Sequence, residues 1–236
     1  MKLTADLLSN SVSQINALGD RELVLRGLKI PAIENLGVTK DLNDAIDFTN
    51  NDLRVLGNFP RLNRLQHLLL NNNRISKIDT GLNSYVPNLN TIILTNNALS
   101  ELGDLEALAE CQKLTHLSLL DNPVAKKEYY RLYLIYKLPQ LRVLDFNKVK
   151  LSEKKEAKAL FQKADGTDND LIKSLVDNKT KTFEVGEGLN SSSSGAVGLT
   201  PDEQLKIKEA LKQATSLDEI SRLERLLKAG HVPTAK

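Results

Sequence analysis

Apolar positions in the first part of the chain follow a recurring nine-residue pattern. It reads Leu65-x-x-Leu68-x-Leu70-x-x-Asn73, then Leu89-x-x-Ile92-x-Leu94-x-x-Asn97, then Leu114-x-x-Leu117-x-Leu119-x-x-Asn122. The asparagines lie 24 and then 25 residues apart. The alternating Leu-x-Leu stretch predicts a short strand, and each asparagine marks the exit into a turn. A unit too small to bury its own apolar face must stack on its neighbours. The pattern therefore predicts a curved α/β solenoid with a parallel sheet along its concave side.

The period falls in the window of roughly 20–29 residues typical of leucine-rich repeats. Weaker copies extend the array. Ile46-x-Phe48-x-x-Asn51-x-Leu53 keeps the pattern upstream, and Leu23-x-Leu25-x-x-Leu28-x-Ile30 keeps its apolar positions with Leu28 in the asparagine's place. Downstream, Leu141-x-x-Leu144-x-Phe146 also lacks the asparagine. Terminal repeats are expected to deviate, because they close the core against water. About six strands are predicted, from near Leu23 to near Phe146. The asparagine side chain is expected to satisfy backbone groups that the turn leaves unpaired, forming a ladder through the stack. Ile75 and Ile78, and Leu99 and Leu102, should reach into the core from the convex side. Leu105 and Leu108 follow at i+3 spacing and predict a short convex helix.

The flanking segments read differently. Residues 1–20 are expected to form an N-terminal cap, with Leu3, Leu7 and Leu8 on one helix face, and residues 21–122 hold the repeats. Residues 123–163 read as a C-terminal cap followed by a basic helix, with Leu160 and Phe161 as its anchors. The cap contains four of the five tyrosines, Tyr129, Tyr130, Tyr133 and Tyr136, whose expected role is to plug the open end of the core. Residues 164–199 are expected to be an extended linker, with Ser191 to Ser194 set among glycines. Residues 200–236 predict a helical segment, each helix opening on a capping box: Thr200-Pro201-Asp202-Glu203 and Ser216-Leu217-Asp218-Glu219.

Aromatics make up only 4% of the chain, as expected for a core of stacked aliphatic layers. The net charge of +2 conceals a basic block: residues 126–163 hold 11 Lys+Arg against 4 Asp+Glu, while the segments on either side are net acidic. Cys111 stands alone, which excludes an intrachain disulfide and leads us to expect an intracellular protein. No apolar run approaches the roughly 18 residues of a membrane span, and the first ten residues are too polar for a signal peptide.

No catalytic set emerges. His67, His116 and His231 are the only histidines. The first two occupy equivalent positions two repeats apart, roughly 9–10 Å across the sheet, too far to share a metal, so they read as surface residues of the concave face. Asp47, Asp121 and Asp145 fall in separate repeats and read as solvated or partner-facing acids rather than an acid–base set. There is no phosphate loop, nucleophile elbow or metal-ligand spacing, and neither enzyme activity nor a cofactor is expected.

The residues between the repeat leucines point away from the core. One column holds Val24, Asp47, Leu69, Ile93, Ser118 and Asp145; the next holds Arg26, Thr49, Asn71, Thr95, Leu120 and Asn147. Leu69, Ile93 and Leu120 should form an exposed apolar patch with a polar rim, which suits a helix laid across the strands. Val24, Asp47, Leu69, Asn71, Ile93, Thr95 and Leu120 are the expected partner-binding set. Arg26 and Lys29 at one end, and Lys148 and Lys150 at the other, could hold a nucleic-acid backbone without reading bases.

Several stretches go beyond repeat leucines. They include Lys2-Leu3-Thr4-Ala5, Asp20-Arg21-Glu22-Leu23-x-Leu25-Arg26-Gly27, Lys29-Ile30-Pro31-x-Ile33-Glu34-Asn35-Leu36-Gly37 and Asp44-Ala45-Ile46-Asp47-Phe48. The C-terminal cap adds Tyr130-Arg131-Leu132-Tyr133-x-Ile135-Tyr136-Lys137-x-Pro139-Gln140 and Arg142-Val143-Leu144-Asp145-Phe146-x-Lys148-Val149-Lys150-Leu151. Together these resemble the A-prime family of U2 small nuclear ribonucleoprotein subunits through about residues 2–160. The resemblance implies a nuclear splicing scaffold whose concave face binds the B-double-prime protein, which carries an RNA-recognition motif. The pair would bind a stem-loop of U2 small nuclear RNA, with Arg26, Lys29, Lys148 and Lys150 at the stem phosphates. It implies other spliceosomal proteins as neighbours, and neither a membrane nor a small-molecule substrate. A leucine-rich repeat regulatory subunit of a protein phosphatase is the alternative that the repeats alone leave open.

Overall fold

The computed structural model describes residues 2–163 and 167–177. The chain opens on α1 (Ala5–Asn10), whose N-cap Thr4 accepts a hydrogen bond from the Leu7 amide at 3.2 Å. β1 (Ser13–Ile15) and β2 (Arg21–Val24) form an antiparallel hairpin. The repeats then supply β3 (Ala45–Asp47), a convex strand β4 (Val55–Leu56), β5 (His67–Leu69), a convex strand β6 (Lys77–Ile78), the single turn α2 (Leu82–Tyr85), β7 (Thr91–Ile93) and β8 (His116–Ser118). The C-terminal end adds α3 (Tyr130–Lys137), β9 (Val143–Leu144), β10 (Asn147–Lys148), α4 (Leu151–Phe161) and α5 (Asp170–Asp177).

One eight-stranded sheet runs in the order β1-β2-β3-β5-β7-β8-β9-β10. Its six inner strands are parallel, as the repeat pattern requires, and each end is closed by an antiparallel hairpin. On the convex side β4 and β6 pair, and the next repeat carries a 3-10 helix over Leu102–Glu110 where the i+3 spacing predicts a helical turn.

The asparagines do the work that the sequence assigns to them. Asn97 donates to the carbonyls of Leu94 in its own repeat and Leu70 in the preceding one, each at 2.9 Å, and accepts the Ile75 amide at 3.0 Å. Asn51, Asn73 and Asn122 repeat this arrangement. The residue before each asparagine takes a left-handed conformation: Asn50, Asn72, Asn96 and Asp121 have φ between 55° and 60°. Asn and Asp tolerate that region best after glycine. The exposed pairs Asn72–Asn50 and Asn96–Asn72 add a second ladder outside the first.

The core is continuous from Leu3 to Ile172. Repeat leucines such as Leu68, Leu70, Ile92, Leu94, Leu117 and Leu119 are sealed, as are Ile75, Ile78, Leu99 and Leu102 from the convex side. Tyr133 and Phe161 are fully buried in the C-terminal cap. Tyr129 and Tyr136 pack their rings against Phe161, with centroids 6.2 and 5.6 Å away. Burial, and then the nearby carboxylates of Glu106 and Asp168, raise the Tyr133 phenol well above its ordinary range, and its hydroxyl has no hydrogen-bond partner.

Three expectations fail at the C-terminal end. Phe146 does not complete a sixth Leu-x-Leu core triplet; its ring is 69% exposed. Asp145 and Phe146 both adopt positive φ, at 52° and 60°, so the chain turns back into β10 before Phe146 can point inward. The Asp145 carboxylate is not simply solvated: it accepts the Leu119 amide at 2.7 Å and the Tyr130 hydroxyl at 2.8 Å. The segment expected as an extended linker from residue 164 includes α5, whose Ile172 is buried in the core. Asp168 anchors the start of that helix, accepting from the Tyr136 hydroxyl at 2.6 Å and pairing with Lys137 at 3.3 Å. The remainder of that linker and the helices expected over 200–236 lie outside the described residues.

These contacts predict opposite outcomes for two buried polar side chains. Asn97→Ala leaves the buried Ile75 amide unpaired and takes one of two side-chain donors from each of the Leu70 and Leu94 carbonyls, and should lower stability by about 2–3 kcal/mol. Tyr133→Phe removes only an unpartnered hydroxyl and should leave stability within about 0.5 kcal/mol or raise it. Urea unfolding of both variants checks the contrast.

Candidate binding groove on the concave face

Strand register builds the concave face from three columns. Glu22, Ala45, His67, Thr91, His116 and Val143 stand in line along the first, and Val24, Asp47, Leu69, Ile93 and Ser118 along the second. Arg26, Thr49, Asn71, Thr95 and Leu120 follow two residues further along each repeat. The first two columns and the end hairpins enclose a groove of about 390 Å³ with a predominantly apolar lining. Leu69 and Ile93 form its half-buried floor, and Leu120 beside it is 37% exposed. The apolar patch expected from the repeats is therefore present, recessed in its centre.

Asp47 is the exception within the expected partner-binding set. It is fully buried rather than presented to a partner. Its carboxylate is bound by the Arg26 guanidinium, with the Nε contact at 2.9 Å, and by the Thr49 amide at 2.8 Å. Burying a carboxylate is tolerable only with such compensation, so Asp47 serves to fix Arg26, whose side chain stays 57% exposed. Ser118 is also buried and shares a 3.0 Å hydrogen bond with Thr95. In the column of Thr95, Thr49 Oγ1 and Asn71 Oδ1 are buried without a partner. Val24 is half-buried on β2.

His67 and His116 both line the groove. His67 Nε2 lies 3.6 Å from Asp20, and His116 Nδ1 lies 2.8 Å from the Thr115 hydroxyl. Among the described residues no group of three or more His, Cys, Asp or Glu is placed to hold a metal ion, and no helix is long and apolar enough to cross a membrane. Cys111 is buried, and burial, reinforced by Glu110, pushes its thiol up to about 11. The thiolate is thus scarce at neutral pH, which makes Cys111 an inert packing residue.

The basic residues form two separate groups. Arg26 and Lys29 belong to the first repeat, both exposed, with Lys29 at a φ of 51°. Lys148 ends the last hairpin, Lys150 lies just beyond it, and both are exposed. Five inter-strand steps separate β2 from β9, about 24 Å at roughly 4.8 Å per step. The second group rests on Arg131, which holds Glu153 at 2.7 Å and the carbonyls of Leu144 and Lys148 at 3.3 and 3.4 Å. That hydrogen bond from Arg131 keeps the Glu153 carboxylate below its ordinary range.

Sequence reasoning missed the contribution of the end hairpins to the groove. Leu18, Asp20 and Phe146 line it, yet none belongs to a repeat column. The Asp145-Phe146 pair carried no usable turn signal, because neither residue is the glycine or asparagine that a tight hairpin favours at its second turn position.

A sheet of repeats with an open apolar groove, sealed caps and two flanking basic groups defines a leucine-rich repeat binding scaffold. A leucine-rich repeat family model matches residues 1–176. The chain is 50% identical over 233 residues to U2 small nuclear ribonucleoprotein A' of Homo sapiens, covering 99% of this chain and 90% of the human one. Against the Schizosaccharomyces pombe protein of the same name it is 46% identical, covering 99% and 100%. The crystal structure of the Drosophila melanogaster SNF/U2A' complex matches with a TM-score of 0.70 and 52% identity, over 74% of this chain and 99% of that one. The chain belongs to the U2 small nuclear ribonucleoprotein A' family.

The Arg131–Glu153 pair predicts an acid-sensitive basic hairpin. A carboxylate lowered in the folded state contributes stability that is complete above its unfolded value, about 4.3, and is lost as pH falls through its folded value. Hydrogen exchange of residues 143–153, corrected for intrinsic rates, should rise below about pH 4 while the amides of β5 and β7 stay protected.

Proposed function

We propose that this chain is the A'-type subunit of a U2 small nuclear ribonucleoprotein and acts in pre-mRNA splicing in the nucleus. Its concave groove holds the B-double-prime protein through that protein's RNA-recognition-motif domain. The paired subunits then bind a stem-loop of U2 small nuclear RNA. Arg26 and Lys29 at one end, with Lys148 and Lys150 at the other, contact the stem phosphates, while the partner reads the loop. Val24, Leu69, Asn71, Ile93, Thr95 and Leu120 meet the partner, and Asp47 acts beneath them by holding Arg26. The role is that of a scaffold without a catalytic group or cofactor, among other spliceosomal proteins.

The observation that carries this reading is the half-identity that spans nearly the whole chain, both caps included. A repeat scaffold of another kind would share the leucines and not the caps. The groove supports it independently. Its apolar floor, formed by Leu69 and Ile93, suits one face of a helix.

The test is reconstitution with recombinant B-double-prime and a labelled U2 stem-loop. The chain alone should retain the RNA poorly in a gel shift, and the pair should retain it tightly. Replacing Lys148 and Lys150 together with alanine should weaken RNA retention about three- to tenfold at moderate salt and flatten its salt dependence, with partner affinity unchanged. Tight, selective RNA binding by the chain alone would contradict the reading, as would co-purification with a phosphatase instead of the RNA.

A further inference from the structure

Phe146 has two features that nothing in the free chain makes favourable. Its ring is 69% exposed, and its backbone sits at φ 60°, a region bulky residues rarely adopt. A strained and exposed aromatic residue points to a contact made outside its own chain. At the opposite end of the sheet, Leu18 is 83% exposed yet firmly held. Asn16 Oδ1 accepts the amides of Leu18 and Asp20 at 2.9 and 3.0 Å, the Asn16 amide donates to the Asp20 carbonyl at 2.9 Å, and Gly19 closes the turn at φ 87°. Both side chains line the same groove.

We propose that Leu18 and Phe146 are paired apolar jaws that grip the two ends of an amphipathic helix of the RNA-recognition-motif partner, selecting its length and register. This rests on the partner reading above and adds residues outside the repeats to it. Along the curved sheet the strands between the jaws span about 24 Å, so a straight helix between them has at most about 16 residues. The floor between them is apolar at Leu69 and Ile93. Asp20 and Glu22 line the groove beside Leu18, and Lys148 follows Phe146 in the opposite hairpin. The charges complement a helix whose positive, N-terminal end lies at Leu18 and whose negative end lies at Phe146. Both jaws are set before binding, Leu18 by the Asn16 hydrogen bonds and Phe146 by its two-residue turn, so little order remains to be imposed on association.

Calorimetric titration of the full chain with the recombinant B-double-prime RNA-recognition domain tests this, using Leu18→Ala, Phe146→Gly and the double variant. Glycine takes a positive φ without strain, so Phe146→Gly should hold or raise the melting temperature while weakening partner binding about tenfold or more. Leu18→Ala should weaken it about threefold or more, and the two losses should multiply because the sites are far apart. Affinities within about twofold of wild type for either variant would overturn the paired grip. A Phe146→Gly protein that melts lower as it binds worse would make the ring structural and overturn it too. If Phe146→Gly weakens only stem-loop retention, with partner affinity intact, the ring is a nucleic-acid contact and the proposal fails. Wild-type protein that does not bind the domain overturns both this inference and the partner reading, whereas intact wild-type binding with insensitive variants overturns the jaws alone.

Discussion

Every turn of this solenoid has to leave a strand and reverse direction inside a dry core without stranding backbone amides and carbonyls. One buried carboxamide per repeat solves that. Its nitrogen serves carbonyls of its own and the preceding repeat, and its oxygen serves an amide of the preceding repeat, as Asn97 does for Leu70 and Ile75. The ladder therefore points backwards along the chain. The first repeat can carry Leu28 in this position because Asn51, one repeat later, accepts the amides of Leu28 and Ile30. At the other end the Asp145 side chain accepts the Leu119 amide, in place of the strand carbonyl that accepts the equivalent amides of Leu70 and Leu94. Each asparagine also ties two repeats together, so the sheet in front of it is held in register, and the groove inherits that rigidity.

The same economy governs polar groups on the concave face. Asp47 is buried because Arg26 and the Thr49 amide neutralise and satisfy it, and the outcome is a guanidinium fixed in place at the N-terminal end. Ser118 and Thr95 satisfy each other. Thr49 Oγ1 and Asn71 Oδ1 do not; both are buried without a hydrogen-bond partner.

The repeat array was legible because its signals are local. Period, strand and asparagine are all written within nine residues, and the strands fall where the leucines place them. Both caps were legible from apolar helices and clustered tyrosines. Asp47 was misjudged because alternation gives the side a residue faces and not what lies over it; Arg26, 21 residues away in sequence, supplies the cover. Phe146 was misjudged because a hairpin interrupts the pattern two residues after Leu144, with no glycine or asparagine to announce it. α5 was missed because its short apolar face sits within a polar stretch and becomes a helix by docking on the cap, a tertiary effect. The end hairpins' share of the groove depends on long-range pairing that no local pattern encodes.

The antiparallel hairpins have a consequence for assembly. A stack of parallel strands presents unpaired backbone at both termini and could in principle add copies of itself without limit. Here the outermost strands are three and two residues long, all exposed, and the last ends on Lys148. Short, polar, reversed edges offer a poor template for another sheet. The solenoid is thereby fixed at a finite number of layers, and its hollow has a set length instead of continuing as a segment of a fibre.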